Sequence, residues 1–152
     1  MKIKVVLDDG AVMAVRAHST DAGADLFSRE YACINPGKSH TFDTGVHIAI
    51  PEGYVGMLKS KSGLNVKHGI TSEGVIDAGY TGSIKVKLYN HGEKAVEIER
   101  GQKISQLVIL PIITPELELV DSLEETERGN GGFGSTGAFA NARLFGRRNE
   151  IR

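Results

Sequence analysis

Two short segments contain the residue types that bind phosphate. Residues 128–137 read RGNGGFGSTG, with five glycines, one arginine, one aromatic ring and two hydroxyls, and residues 60–63 read SKSG. Lysine and arginine donate charged hydrogen bonds to phosphate oxygens, and glycine lets backbone N–H groups approach an anion. The pattern G-x-x-x-x-G-K-[ST] of nucleotide-binding P-loops does not occur. The alternatives to phosphate binding are a solvated polar turn at 60–63 and a flexible linker at 128–137.

Two carboxylates, a phenol and an amide accompany these segments. Asp25 lies in AGADL, Asp77 and Tyr80 lie in GVIDAGY, and Gln106 lies inside the apolar run ISQLV. An isolated aspartate is more often a turn or cap residue than a metal partner, and a buried amide first needs a hydrogen-bond partner. Individually these residues leave structural and catalytic roles open.

The elements that must position these residues are β-strands. Apolar residues alternate with polar ones in residues 46–50, 83–88 and 96–99, which indicates strands with one buried face. Turn residues such as Asn35-Pro36-Gly37 and Arg100-Gly101 separate them, and regular short strands favour a β-sandwich or jelly roll. Residues 103–113 are continuously apolar, which predicts burial on both faces, inside the sheets or against another subunit. A short helical turn is expected to end at 65–69.

Composition limits the function classes. The 152 residues fit one domain. With 18 basic and 19 acidic residues the net charge is close to zero, so the chain has no overall positive charge that would attract nucleic acid or an anionic membrane surface. A single cysteine, Cys33, favours a reducing compartment. No run approaches eighteen apolar residues, and the N-terminus lacks an apolar signal-peptide centre. We therefore expect a soluble intracellular protein, organised as a β-domain over 1–127, a mobile glycine-rich arm over 128–137 and a basic extension over 138–152.

Taken together and in chain order, the short segments resemble the five motifs of the trimeric deoxyuridine triphosphatases (dUTPases). The resemblance covers about residues 21–137 and rests on AGADL, SKSGL, GVIDAGY, GQKISQL and RGNGGFGSTG. Each motif is common by chance, but five in order are specific. The resemblance implies an all-β, jelly-roll homotrimer in the cytoplasm that shares three active sites between subunits. It also implies hydrolysis of dUTP to dUMP and pyrophosphate with Mg²⁺, which keeps uracil out of DNA and supplies dUMP for dTMP synthesis.

The resemblance assigns the chemical step and base selection to the third motif. Asp77 is implied as the general base for the attacking water, and Tyr80 as the ring that packs on the deoxyribose and excludes a 2′-hydroxyl. The hairpin of residues 74–86, including Gly74, Ile76 and Lys85, is implied to hold uracil through backbone groups. Cytosine presents opposite donors and acceptors, and thymine adds a methyl group that a narrow hairpin refuses.

The resemblance assigns the phosphates and the metal to the other motifs. Asp25 is implied to contact Mg²⁺ through water. Phosphate contacts are implied for Lys61, Ser62, Gly63 and Gln106. The family usually has arginine where this chain has Lys61. The planar guanidinium of arginine can bond two phosphate oxygens at once, whereas the lysine ammonium is a compact single charge.

The glycine-rich arm is implied to close over the bound substrate. Arg128 would meet the terminal phosphate, and Phe133 would stack on uracil, a contact worth about 1–3 kcal/mol. Gly134, Ser135 and Thr136 would close on the phosphate chain.

Two other functions stay open at this stage. One is a dUTP-gated binding protein that signals to a protein partner through residues 138–152, and the other is a related dCTP deaminase. The intact GVIDAGY and the aromatic arm favour the hydrolase.

Overall fold

A computed structural model describes residues 1–132, and β-strands make up most of the regular structure in its first 111 residues. Within this part the chain forms nine strands and one short helix, in the order Val5–Leu7 (β1), Gly23–Phe27 (β2), Ala32–Ile34 (β3), Ser39–Ile48 (β4), Tyr54–Ser60 (β5), Ser62–His68 (α1), Ile70–Ile76 (β6), Ser83–Asn90 (β7), Val96–Ile98 (β8) and Lys103–Pro111 (β9).

Seven strands form one curved antiparallel sheet in the order β1-β4-β7-β6-β5-β9-β2, and β3 pairs with β8 in a second, two-stranded sheet. Strand β6 changes partner along its length. Its first residues, 70–72, pair with β7, whereas residues 73–76 pair with β5. A strand that leaves one neighbour for another turns the corner of a sandwich. The all-β, jelly-roll class predicted from the sequence is confirmed.

The core follows the predicted alternation. On β7, Ile84, Val86 and Leu88 are at most 1% exposed, while Lys85 and Lys87 face the surface. Each such aliphatic side chain contributes about 1.5–3 kcal/mol by leaving water. Phe42 on β4 is fully buried at the centre of the same cluster.

The prediction for residues 103–113 is half right. Ile104 and Leu107 are buried to 1% and 2% exposure. The end of β9 and the residues after it are open in the single chain, since Leu110 is 44% exposed and Ile112, just beyond the strand, is 40% exposed. Burial inside the sheets therefore accounts only for the first half of this apolar run.

The expected helical turn is helix α1, which ends where predicted. Gly69 adopts φ 68°, a left-handed conformation that terminates a helix, and its N–H donates to the Asn65 and Leu64 carbonyls. A Cβ at Gly69 would lie 2.9 Å from the backbone nitrogen of Gly92, so only glycine fits between helix and loop.

The chain divides into two compact units, Met1–Pro115 and Glu116–Arg152. The domain boundary predicted at residue 127 lies inside the second unit. Between residues 116 and 132 the second unit has no helix or strand. Across residues 1–132, no helix is long and apolar enough to cross a membrane.

Candidate functional site

A buried carboxylate with two lysine partners lies at the centre of the candidate site. Asp25 on β2 has a side chain that is 7% exposed. Lys61 Nζ lies 2.5 Å from its Oδ1, and Lys103 Nζ lies 2.7 Å from its Oδ2. Burial alone would raise the pKa of Asp25, but the hydrogen bonds from Lys103 and Lys61 outweigh it and hold the pKa below its ordinary value. Asp25 is therefore an anion with one cation on each oxygen.

Strand register brings these groups together. Asp25 on β2 lies opposite Gln106 on β9, and Ser60 on β5 lies opposite Ser105 on the other side of β9. Lys61 directly follows β5 and Lys103 begins β9, so both lysines reach the same carboxylate from neighbouring strands.

Gln106 satisfies its amide locally and shapes the pocket. Its Nε2 donates to the Ser60 carbonyl at 3.1 Å. A Cβ at Gly23 would lie 2.5 Å from Gln106 Oε1, so the glycine of AGADL makes room for the carboxamide. A polar pocket of about 340 Å³ results, lined by Ala17, His18, Asp21, Ala22, Gly23, Asp25, Lys61, Lys103 and Gln106. The structure thus brings together three residues singled out in the sequence: Asp25, Lys61 and Gln106.

Lys103 is a residue that the sequence reasoning missed. It lies in GQKISQL, the segment in which the sequence analysis singled out Gln106 but not the lysine that begins the strand. A signal existed, because a carboxylate in a strand of small and apolar residues needs a cation, and Lys103 is the sole basic residue of β9.

Ser62 and Gly63 lie beside this pocket rather than in its lining. They are exposed and form the first residues of α1, directly after Lys61. Their roles in phosphate binding stay predictions.

A second group of residues lies on the turn between β6 and β7. Asp77 is exposed, and its carbonyl accepts a hydrogen bond from the Tyr80 N–H at 3.2 Å. Tyr80 Oη donates to the Ser83 carbonyl at 3.1 Å. A Cβ at Gly82 would lie 2.5 Å from Tyr80 Oη and 2.7 Å from Cζ, so the ring rests against Gly82. The phenol is therefore fixed at the edge of the turn, 43% exposed.

Behind this turn, β6 and β7 separate and leave a cleft between them. Their mutual pairing ends at Ser72 and Leu88; on the turn side of these residues β6 pairs with β5 instead, while β7 keeps its pairing with β4. The backbone of Ser72 bonds Ser60 Oγ on the β5 side, and the backbone of Asn90 bonds Lys38 away from β6. Because backbone direction alternates along a strand, residues 73 and 75 on β6 and 85 and 87 on β7 face the cleft.

This alternation changes the backbone direction expected for two residues of the hairpin 74–86, Gly74 and Ile76. Gly74 and Ile76 face β5, opposite Leu58 and Gly56, so the cleft-facing backbone belongs to Glu73 and Val75 instead. Gly74 serves packing, since a Cβ there would lie 2.9 Å from Leu58 Cδ1.

Lys85 keeps a backbone position facing the cleft, but its side chain does not enter the cleft. The ammonium pairs with Asp43 on β4, which also accepts hydrogen bonds from Ser83 Oγ and the Gly45 N–H. These partners, Lys85 first, hold the pKa of Asp43 well below its usual range.

The pocket around Asp25 and the turn that carries Asp77 are separate within one chain. Neither Asp77 nor Tyr80 lines the Asp25 pocket. The pocket that holds Asp25 with its two lysines and the exposed carboxylate of Asp77 are thus presented at two places on the molecule.

The arm is described only at its beginning. Arg128 Nε donates to the Gly131 carbonyl at 3.0 Å, and the Gly131 N–H returns a bond to the Arg128 carbonyl at 2.8 Å. The predictions for Phe133, Gly134, Ser135 and Thr136, and for the extension 138–152, lie outside the described residues.

Comparison with known proteins decides the family. The dUTPase family model matches residues 9–137. This chain belongs to the dUTPase family. The curated deoxyuridine 5′-triphosphate nucleotidohydrolase of Clostridium tetani is 48% identical over 140 residues, which cover 90% of this chain and 96% of that protein. The nucleotidohydrolase of Gloeothece citriformis is 45% identical over 141 residues, covering 90% and 97% respectively.

Solved dUTPase structures share the fold. A variant of the dUTPase from Staphylococcus bacteriophage 80alpha, solved with dUpNHpp, superimposes with a TM-score of 0.83 at 36% identity and covers 90% of this chain and 99% of its own. A variant dUTPase from phage phi11 of S. aureus, described as revealing the coordination of a structural Mg(II) ion, gives a TM-score of 0.75 at 34% identity and covers 82% and 100%.

Proposed function

We propose that this chain hydrolyses dUTP to dUMP and pyrophosphate. The observation that carries the proposal is the pair of sites that the fold builds at the family's motifs. One is a pocket in which Asp25, Lys61, Lys103 and Gln106 converge, and the other is a backbone-lined cleft beside Asp77 and Tyr80. The 80alpha relative solved with dUpNHpp supports a deoxyuridine nucleotide as the ligand.

The phosphate chain fits the Asp25 pocket by charge. Lys61 and Lys103 present two ammonium groups, which Asp25 and Asp21 in the same lining balance while no substrate is bound, and the Gln106 amide adds a neutral hydrogen-bonding group. Positioning and charge stabilisation supply most of the catalysis in phosphoryl transfer. Lys61 and Lys103 would hold the phosphates while the α-phosphorus is attacked.

The residues present fit Mg²⁺ held through its own water molecules. Within residues 1–132 no group of three or more His, Cys, Asp or Glu side chains could hold a metal ion directly. Each oxygen of Asp25 accepts one lysine hydrogen bond, which leaves a lone pair on each to accept from a metal-bound water. Mg²⁺ keeps several waters and binds phosphates. When bound, it would neutralise charge on the phosphate oxygens.

Asp77 is proposed as the general base. Its side chain is exposed on the turn and free to accept a proton from water. The water attacks the α-phosphorus in line with the departing pyrophosphate, and Asp77 takes the proton as the new P–O bond forms. Tyr80, fixed against Gly82, would pack on the deoxyribose and leave no space for a 2′-hydroxyl.

Uracil fits the cleft between β6 and β7. The backbone groups of Val75 and Lys85 that face the cleft have no strand partner within residues 1–132, and they are donors and acceptors in fixed positions. Uracil presents an N–H donor between two carbonyl acceptors. Cytosine would leave buried groups unpaired, which discriminates by about 10⁴. The same mismatch argues against dCTP as substrate, so the deaminase alternative is disfavoured. The dUTP-gated binding protein remains a prediction that depends on residues 138–152.

Separation of the two sites within one chain supports a homotrimer with shared active sites. A neighbouring copy would bring its Asp77 turn to the Asp25 pocket, and the glycine-rich arm from 128 onward would close over the nucleotide. The exposed end of β9 and the residue after it, Leu110 and Ile112, offer apolar surface for that assembly. We place the enzyme in the cytoplasm, where its single cysteine suits a reducing compartment.

The test is pyrophosphate release from dUTP, UTP, dCTP and dTTP by the parent and by Asp77→Asn. We expect strong preference for dUTP and a loss of turnover in Asp77→Asn with little change in KM. Equal turnover of UTP would contradict the role of Tyr80, and an active Asp77→Asn would contradict the role of Asp77.

A further inference from the structure

Both ring nitrogens of His47 face oxygen acceptors. Nδ1 lies 2.8 Å from the Thr81 carbonyl oxygen, and Nε2 lies 3.0 Å from Asp8 Oδ1. A carbonyl and an ionised carboxylate accept hydrogen bonds but donate none, and a neutral imidazole has one N–H only. Both contacts are therefore satisfied together only when the imidazole is protonated.

This bridge, Asp8–His47–Thr81, joins three parts of the molecule. His47 lies on β4, directly opposite Val6 of β1 and Ser83 of β7, next to an irregularity in the β4–β7 register. Asp8 follows β1 and is held in turn by Arg29 at 3.1 Å. Thr81 lies on the turn between β6 and β7, among the residues that present Asp77 and Tyr80.

The turn has few other fixed points. The described hydrogen bonds within it are the Tyr80 N–H to the Asp77 carbonyl and Tyr80 Oη to the Ser83 carbonyl. Both hydrogen bonds join residues of the turn to each other or to the first residue of β7, which follows the turn. Ser83, the first residue of β7, is held to β4 through Asp43 and Gly45, and the turn itself is bonded by the His47 side chain at Thr81.

We propose that protonated His47 is a positioning residue that holds the Thr81 carbonyl, and with it the turn carrying Asp77 and Tyr80, and that it releases this turn when it loses its proton. The inference rests on the proposed function, because it matters for catalysis only if Asp77 and Tyr80 act on the nucleotide. It adds a pH-dependent element to the active site that the five motifs do not include.

The surrounding charges favour the protonated ring. Asp8 contacts it, and Asp43 on the same strand faces it, although Lys85 neutralises Asp43 and Arg29 shares Asp8. Lys4 of the N-terminal segment lines a surface pocket together with His47, Asp8 and Thr81, and its positive charge opposes the effect of the two carboxylates on the ring. The Thr81 carbonyl bond is the largest influence and raises the pKa of His47 above its ordinary value, against a smaller effect of burial and with help from Asp8.

The direction of the pH effect follows. A histidine whose pKa is raised in the folded state keeps its bonds below its unfolded pKa of about 6.5 and loses them as pH rises through the folded value. We expect kcat/KM for dUTP to fall about three- to tenfold on that alkaline limb, the effect of losing one net hydrogen bond.

The experiment combines a pH profile of kcat/KM with an NMR titration of the imidazole and the Thr81 and Gly82 amides of the full chain. In the parent the profile and both amides should titrate with the His47 pKa. His47→Gln, which retains a donor but cannot titrate, should remove that inflection, and Asp8→Asn should move it to lower pH. His40→Gln is the matched control, because His40 lies on the same strand and pairs with Glu30 at 3.0 Å, far along β4 from the turn.

The outcomes separate this inference from the proposed function. The positioning role is overturned if the inflection in the pH profile of kcat/KM persists in His47→Gln. It is also overturned if the chemical shifts of the Thr81 and Gly82 amides do not change as His47 titrates. A parent that releases no pyrophosphate refutes the proposed function, and the amide titration then decides on its own whether His47 holds the turn.

Discussion

Gly82→Ala tests how Tyr80 is positioned, since Gly82 is the surface on which its ring rests. The backbone of Gly82 is not in the left-handed region, so alanine imposes no backbone strain there. Its Cβ would lie 2.5 Å from Tyr80 Oη and 2.7 Å from Cζ, whereas ordinary contacts begin at 3.4 Å. The phenol must therefore retreat by about 0.9 Å, and its hydrogen bond to the Ser83 carbonyl is lost.

The displacement translates into a kinetic effect. One net hydrogen bond is worth about 0.5–1.5 kcal/mol, and a misplacement of about 1 Å near reacting atoms costs up to about 10²-fold in rate. We expect kcat/KM for dUTP to fall about 10- to 100-fold in Gly82→Ala. UTP should lose less, because the displaced ring no longer refuses a 2′-hydroxyl, so the preference for dUTP over UTP should fall by about tenfold or more.

The assay is pyrophosphate release from both nucleotides, with thermal unfolding to verify the fold. Thr81→Ala is the matched control, because it changes the adjacent side chain and keeps the backbone carbonyl that His47 contacts. Its selectivity should equal that of the parent. A Gly82→Ala enzyme that discriminates against UTP as the parent does would refute the steric account of sugar selection.

Four further changes test the Asp25 pocket and the arm. Lys103→Gln should raise KM for dUTP about tenfold or more by removing a charged hydrogen bond, and Lys103→Arg should restore most of it, as measured by steady-state kinetics. Lys61→Ala should raise KM while Lys61→Arg keeps activity; unchanged kinetics in the alanine variant would remove Lys61 from the site. The folded pKa of Asp25 is lowered, so the ionised carboxylate stabilises the fold above its unfolded pKa of about 3.9, and this stabilisation is lost as pH falls through the folded pKa. In Asp25→Asn the acid-unfolding curve should therefore lack the loss of stability that the parent shows in this pH range. Removing residues 128–152 should leave a folded trimer by sedimentation with very slow turnover, and full activity would contradict the closing role of the arm.

The alternation of apolar residues was sufficient to predict the β-architecture. The pattern in residues 83–88 places Ile84, Val86 and Leu88 in the core because strand geometry alone decides which face they occupy. The same reasoning left open what covers residues 110–113, since apolar composition does not say whether a neighbouring strand or another subunit covers a residue, and their burial against another subunit stays a prediction.

Strand pairing was not readable from the sequence, and it decides the details of the site. Gly74 was expected to face uracil because it lies in the motif, yet the register of β6 against β5 turns its backbone the other way. Lys103 was overlooked because its contact with Asp25 depends on the meeting of β2 and β9. Motifs indicate candidate residues, whereas the direction of their backbone and their hydrogen-bond partners follow from strand register.

Lys61 acquires a physical explanation only from this register. The family usually has arginine at this position, and an arginine fork could bond two oxygens at once. Here Lys61 and Lys103 each bond one oxygen of Asp25, so two point charges from adjacent strands do what one fork would do. Either lysine can turn toward a phosphate while the other still neutralises the buried carboxylate. On this account Lys61 and Lys103 are energetically coupled, and the double variant Lys61→Ala/Lys103→Gln should cost more than the product of the single effects, because it alone leaves Asp25 buried without a cation.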